Sequence, residues 1–390
     1  MKQKERIRFL LCFIGLMDNA NLPFHPSKLS KKHWHRLFKD AENHRVSSLL
    51  YYNLKRKNEI SIPDELKTNL ESSYLKNSLD NTRLFYSLSN ILISTEKENI
   101  PIIALKGAYI ACQFYPNVAL RPMYDLDLLV KSEDATKMHN LLSGLEWVCN
   151  IDQNQFEDYI RKREVIKYTN KLITLELHSG IVEIANTDVW NNVFPTKMGK
   201  NDIFVLDHNV LLPYLCIHLC EHLRDLFVEI IRIYDVVQII RQCRDEIDWN
   251  KVIQIAEENQ SKYAVYRVLY FIKNELGEDI PDDVLSRLNE NRHELTILQA
   301  LYKGKKIREI NPIGHIIKAI QARIFDPKSI TIGKIAELII CGIFPDKKYM
   351  IEKYKPKYSW LFFIYYPVRT VLGIRDIIKS LLRKPKKIGS

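Results

Sequence analysis

The sequence predicts an α+β protein in which one small sheet domain is embedded between helical blocks. Three observations carry this expectation. Apolar residues recur at helical spacing through residues 1–98 and again through 207–300. Between them, 99–206 holds short apolar runs broken by Gly, Pro and Asn, as strands and turns are. Within that stretch, Arg121–Val130 (RPMYDLDLLV) alternates acid and aliphatic side chains with a period of two, the pattern of a half-buried strand.

The elements follow in order. The opening MKQKERIRFLLCFIGLM imitates a signal peptide, but Asp18-Asn19 follows with no small-x-small site, so it reads as the first helix. Trp34, Leu37, Ala41 and His44 continue the helical spacing, and Leu70–Thr95 reads as one long helix. Ile100–Leu105 is a short apolar strand, and Ala108–Phe114 a helix closed by Tyr115-Pro116-Asn117. A helix over Glu133–Ser143 follows the acidic strand, and then a hairpin around Asn170 joins 163–169 to 171–181. Helices over Asn209–Arg224, Phe227–Arg244, Trp249–Asn259 and Tyr263–Leu276 complete the second block. A fourth region, 301–390, is basic and rich in aromatics.

Asp125 and Asp127 are the most informative pair. Two apart on a strand, they leave the same face, while Leu126, Leu128 and Val130 take the other. Two carboxylates on one face of a core strand call for a cation, and a divalent metal carrying a phosphate substrate supplies one. The plainer alternative is an edge strand with two solvated acids. Upstream, a strand that ends at Lys106-Gly107 and turns into a helix offers unpaired N–H groups and a positive charge to an anion. In LITLELH (172–178), Thr174, Glu176 and His178 share one face and Ile173, Leu175 and Leu177 the other, so Glu176 can stand beside the Asp pair with His178 next along.

The run LKG, R-x-x-x-D-L-D-L-L-V and L-E-L-H resembles the bacterial uncharacterised nucleotidyltransferase family, within the DNA polymerase β-like nucleotidyltransferase superfamily. The resemblance extends from about Trp34 to about Val284 and takes in His44-Arg45 and Ile247-Asp248-Trp249. It implies a small nucleotidyltransferase sheet and transfer of a nucleoside monophosphate from an NTP to an acceptor hydroxyl, with release of pyrophosphate. Asp125, Asp127 and Glu176 are then the catalytic acids and the ligands of one or two Mg²⁺ ions. Lys106, Gly107, Arg121 and His178 bind the nucleotide, Arg121 either steadying the triphosphate or bracing the Asp strand by pairing. Two departures stand out: Gly107-Ala108 lacks the hydroxyl of the superfamily's Gly-Ser, and Gly107 lies farther than usual from Asp125. They leave open a non-catalytic protein that keeps the fold and binds a nucleotide or a partner.

His218-x-x-Glu221-His222 matches an inverted zinc-protease string, but no downstream acid on a matching helix accompanies it. Histidines packed with polar partners are one alternative. Another, which the resemblance suggests, is that His218, His222, Arg232 and Asp235 line a nucleotide cleft. The seven cysteines are an odd number set mostly in apolar runs, which predicts buried thiols in a reducing cytoplasm. Of the whole-chain net charge of +11, residues 351–390 hold ten Lys/Arg against two acids, with seven aromatics interleaved up to Tyr366 and an amphipathic helix at 371–382. That tail would meet an anionic membrane surface or a nucleic acid, or pack back on the protein. A cytoplasmic protein, peripheral at the membrane surface through this tail, is the localisation these features suggest.

Overall fold

The computed structural model describes residues 1–301 except 19–25, 27–28, 57–61, 150, 172, 224–227, 290–296 and 298–300. Two compact units divide the chain, Met1–Gly304 and Lys305–Ser390. The second, and with it the expected tail helix, the basic aromatic run and Cys341, lies outside the described residues.

Four helices come first: α1 (Gln3–Phe13), α2 (Lys31–Asn43), α3 (Ser47–Arg56) and the long α4 (Asp64–Lys97). The α/β part follows as β1 (Ile103–Ala104), α5 (Gly107–Gln113), β2 (Asp125–Leu129), α6 (Ala135–Gly144), β3 (Val148–Cys149), α7 (Gln153–Lys162), β4 (Ile166–Asn170), β5 (Ile173–His178), β6 (Val193–Met198) and β7 (Asn201–Leu206). Helices α8 (His208–Leu223), α9 (Ile230–Gln242), α10 (Trp249–Glu258), α11 (Lys262–Leu276) and α12 (Asp282–Leu288) close it. The fold is α+β as expected, with helices on both sides of the sheet in sequence.

The seven strands form one mixed sheet in the order β3-β4-β5-β2-β1-β7-β6. β2 lies at its centre, parallel to β5 and antiparallel to β1. Leu126, Leu128, Leu175 and Leu177 are fully buried on one face of the two central strands. Burying each such side chain stabilises by roughly 1.5–3 kcal/mol, and a one-residue slip would exchange this set for the acids. Register is therefore held by the leucines, and the acids follow.

The structure differs from the sequence reading at three places. β1 is only two residues long, preceded by Pro101, which has no N–H to donate. Ladder bonds nevertheless continue past it, from Phe204 N–H to the Ile102 carbonyl (3.0 Å) and from Leu105 N–H to the Asp127 carbonyl (3.1 Å). The left-handed residue of the β4–β5 turn is Lys171 (φ 53°) rather than Asn170. The β6–β7 hairpin, turned at Gly199 (φ 67°), was not expected at all, yet β7 supplies the parallel neighbour of β1.

Long α4 also serves the sheet. Its Asn81, fully buried, donates to the carbonyls of Val118 (2.5 Å) and Arg121 (2.8 Å) and accepts from Met123 N–H (3.3 Å). One side-chain amide thus fixes the irregular segment that delivers the chain into β2.

Candidate active site

β2 and β5 are in register so that Asp125 pairs with Thr174, Asp127 with Glu176 and Leu129 with His178. Partners in a parallel pair project to the same face, so Asp125, Asp127, Glu176 and His178 share one surface of the sheet. Donor atoms of Asp127, Glu176 and His178 all lie within 4.8 Å of one another; Asp125 is not part of that trio. Lys106 Nζ and His178 Nε2 each stand 3.4 Å from the same Asp127 oxygen, Oδ1. On the far side of β5, Lys167 Nζ meets Glu176 Oε1 at 2.7 Å.

The two aspartates titrate in opposite directions. Burial raises the Asp125 carboxyl, and the charges of Asp127 and Glu176 push it further up against Lys106 and Arg45. Burial acts on Asp127 too, but there Lys106 and the His178 hydrogen bond outweigh it and hold the carboxyl well below the usual range. Asp127 is the anchored anion of the face, and Asp125 the one that lacks compensation. That imbalance is what a divalent cation would relieve, and the oxygen and imidazole donors present fit one.

Lys106 and Gly107 sit at the join of β1 and α5. A Cβ on Gly107 would lie 3.3 Å from Arg121 Nη1 and 3.4 Å from Met123 Sδ, so the glycine lets the Arg121 guanidinium pass over the turn. Arg121 itself is committed elsewhere. Its Nε and Nη2 grip both oxygens of Asp235 on α9, at 2.9 and 2.8 Å, and Tyr115 Oη donates to Asp235 Oδ1 at 2.7 Å. Of the two roles expected for Arg121, the geometry is that of the brace.

Facing the acids from the helical side is His218 on α8, whose Nδ1 lies 3.2 Å from Glu183 Oε1 and 4.0 Å from Glu221 Oε2. Burial holds His218 below its ordinary value despite Glu183, and its charge acts on Asp127. The side chain of His222 lies outside the described residues, and with it the zinc-string and cleft alternatives that name it. Arg232 places its Nε 3.2 Å from Glu229, which Arg45 also reaches at 3.5 Å.

Arg45 carried no assigned role in the sequence reading. It donates to the Pro122 carbonyl at 2.7 Å, stacks 4.2 Å from the ring of exposed Tyr124, and its charge lowers Asp125. Its backbone is left-handed (φ 60°), in the turn between α2 and α3. The His44-Arg45 pair within the resemblance was the one signal that marked it.

A mixed sheet carrying acids on two adjacent parallel strands, with a Lys-Gly turn beside them and helical blocks before and after it in the chain, is consistent with a nucleotidyltransferase-type domain. The chain belongs to the family described as uncharacterised nucleotidyltransferase, whose profile matches residues 30–277. The match spans α2 to α11 and therefore every site residue named above. Comparisons with curated proteins and with solved structures gave no match.

Proposed function

We propose that the protein is a metal-dependent nucleotidyltransferase, moving a nucleoside monophosphate from an NTP to an acceptor hydroxyl and releasing pyrophosphate. The observation that carries the reading is the register of β2 on β5, which sets Asp127 beside Glu176 with Lys106 against Asp127. Asp125, Asp127 and Glu176 would hold one or two Mg²⁺ ions. A bound divalent ion supplies neutralisation of the charge that develops at the α-phosphate.

The chain's own groups do the rest. Lys106 trades Asp127 for the triphosphate once that carboxylate is otherwise engaged. Arg45 and Arg232 both reach the Glu229 carboxylate, and their two guanidinium charges would favour an anionic triphosphate. Arg121 keeps the segment before β2 in place through Asp235. Glu176, with Lys167 at 2.7 Å, is the acid that would take the acceptor proton, and His178 fills the remaining corner of the face.

A second reading keeps the fold and binds a nucleotide or a partner without turnover. Lysines already on Asp127 and Glu176, and the missing hydroxyl after Gly107, favour it. Purified full-length protein incubated with each of the four α-³²P-labelled NTPs, a divalent ion and cell lysate separates the two. Label transferred to an acceptor by the native chain, and lost with Asp127→Asn, supports the enzyme. Nucleotide binding with no transfer under any metal supports the binder.

A further inference from the structure

Asp127 is crowded in an unusual way. His178 Nε2 and Lys106 Nζ approach one oxygen, each at 3.4 Å. Good N–H···O bonds to a carboxylate are shorter, about 2.7–2.9 Å. The 3.4 Å separation in the His178–Asp127 hydrogen bond is long for such a bond. It is, however, the spacing two ligands adopt around one ion: bonds of about 2.1 Å put neighbouring donors about 3.0–3.4 Å apart. Glu176 completes the set, since all three donor atoms fall within 4.8 Å.

The fold prepares His178 for such a role. It ends β5, is 8% exposed, and its carbonyl accepts from Val130 N–H at 3.0 Å, so the backbone is pinned across β2 and β5. Its position on the same sheet face as Glu176 follows from alternation, and its diagonal reach to Asp127 from the parallel register. Asp125, one step the other way, stands outside the trio. The compact donor set on this face is therefore two carboxylates and an imidazole.

We propose that His178 Nε2 is a metal ligand alongside Asp127 and Glu176, and that this nitrogen makes the centre favour a first-row transition ion over Mg²⁺. The inference rests on the nucleotidyltransferase reading only for the presence of a metal. Mg²⁺ takes oxygen ligands and sheds water reluctantly, whereas imidazole suits ions further along the first transition row. Mn²⁺ is the informative probe, because it accepts the carboxylates as Mg²⁺ does and tolerates the nitrogen.

The test reads the metal, not the reaction. Full-length protein loaded with Mn²⁺ is examined by pulsed EPR for ¹⁴N modulation, and Mn²⁺ and Mg²⁺ affinities are measured by calorimetry on the native chain, His178→Gln and His178→Asp. The native chain should give ¹⁴N modulation and bind Mn²⁺ at least tenfold more tightly than Mg²⁺. His178→Gln should lose the modulation and roughly tenfold or more in Mn²⁺ affinity, the scale on which metal sites respond to lost partners. His178→Asp restores an oxygen donor, so it should bind without modulation and with the Mn²⁺ preference reduced. Thermal unfolding of both variants guards against a misfolded site, and His178→Asp keeps the comparison open if Gln is not tolerated. Absence of ¹⁴N modulation in the native chain overturns the proposal, and so does modulation that persists in His178→Gln. Failure of nucleotide transfer with these metal results intact would count against the proposed reaction and leave the ligand assignment standing.

Discussion

Asp127 on β2 and Glu176 on β5 are direct partners in a parallel pairing, so two acids far apart in sequence project from adjacent strands on one face. Around them stand Lys106, Lys167 and His178, each in contact with one of the two. Most of what can be tested about the protein follows from how these charges are compensated.

The two strand aspartates should respond differently to neutralisation. Asp125 is disfavoured as an anion, so Asp125→Asn should leave the melting temperature equal or higher. Asp127 is favoured as an anion, so Asp127→Asn strands Lys106 and should cost on the order of 1–3 kcal/mol, a fall of several degrees. Both should abolish metal-dependent transfer. Calorimetric melts and the labelled-NTP assay on the two variants check this; transfer at the native rate in both would remove the assignment.

Glu176→Gln separates binding from turnover. The amide keeps the size of the side chain, and Lys167 is more than half exposed, so its lost partner matters little to stability. Nucleotide affinity should stay within about tenfold while transfer falls by ~10² or more, the scale of a lost general base. Affinity and rate measured on one preparation give the answer, and no change in either would leave Asp127 without a catalytic partner.

The Arg121–Asp235 fork should behave as a structural unit. Arg121→Ala or Asp235→Asn alone leaves a buried, uncompensated group, at a cost of about 3–5 kcal/mol. The double variant should lose less than the sum of the two, with a coupling of at least ~1 kcal/mol in denaturant unfolding. Arg121→Lys, which keeps the charge but lacks the planar fork, should not restore native stability. Additive losses would show that the two residues act independently.

Acid should weaken the fold through His44. Burial takes its imidazole down to about 4, against the pull of Asp40, the Val228 carbonyl and Glu229. The unfolded chain takes up this proton below pH ~6.5 and the folded chain only near 4, so stability present at neutral pH is lost across that window. By pH ~5 the loss from this residue is about 2 kcal/mol. Denaturant titrations at several pH values should show that slope, and His44→Asn should flatten it by this amount.

The basic tail is tested without reference to its structure. Deleting the residues after Pro356 should weaken binding to vesicles containing phosphatidylserine, with the difference shrinking at high salt as charges are screened. If the full chain ignores such vesicles at low salt, a nucleic-acid partner is the next to try. Among the described residues, no helix is long and apolar enough to cross a membrane.

Much of the face was legible in the sequence because it is encoded locally. Alternation over Asp125–Leu129 and Ile173–His178 decides which side chains turn toward the leucine layer and which away, whatever the strands pair with. Lys106-Gly107 is likewise marked by a strand that stops and a helix that begins. Pairings between distant segments left less trace: the sequence put Glu176 beside the Asp pair without saying which of the two it meets, and offered pairing for Arg121 without its partner. That Asp127 meets Glu176, that β7 lies parallel to β1, that Arg121 spends its fork on Asp235, and that Arg45 and Arg232 converge on Glu229 are decided by how separate segments pack. Periodicity carries the direction of a side chain, since that is fixed by neighbouring dihedrals. The identity of its partner is fixed by burial of the whole core, and only the tertiary structure holds that.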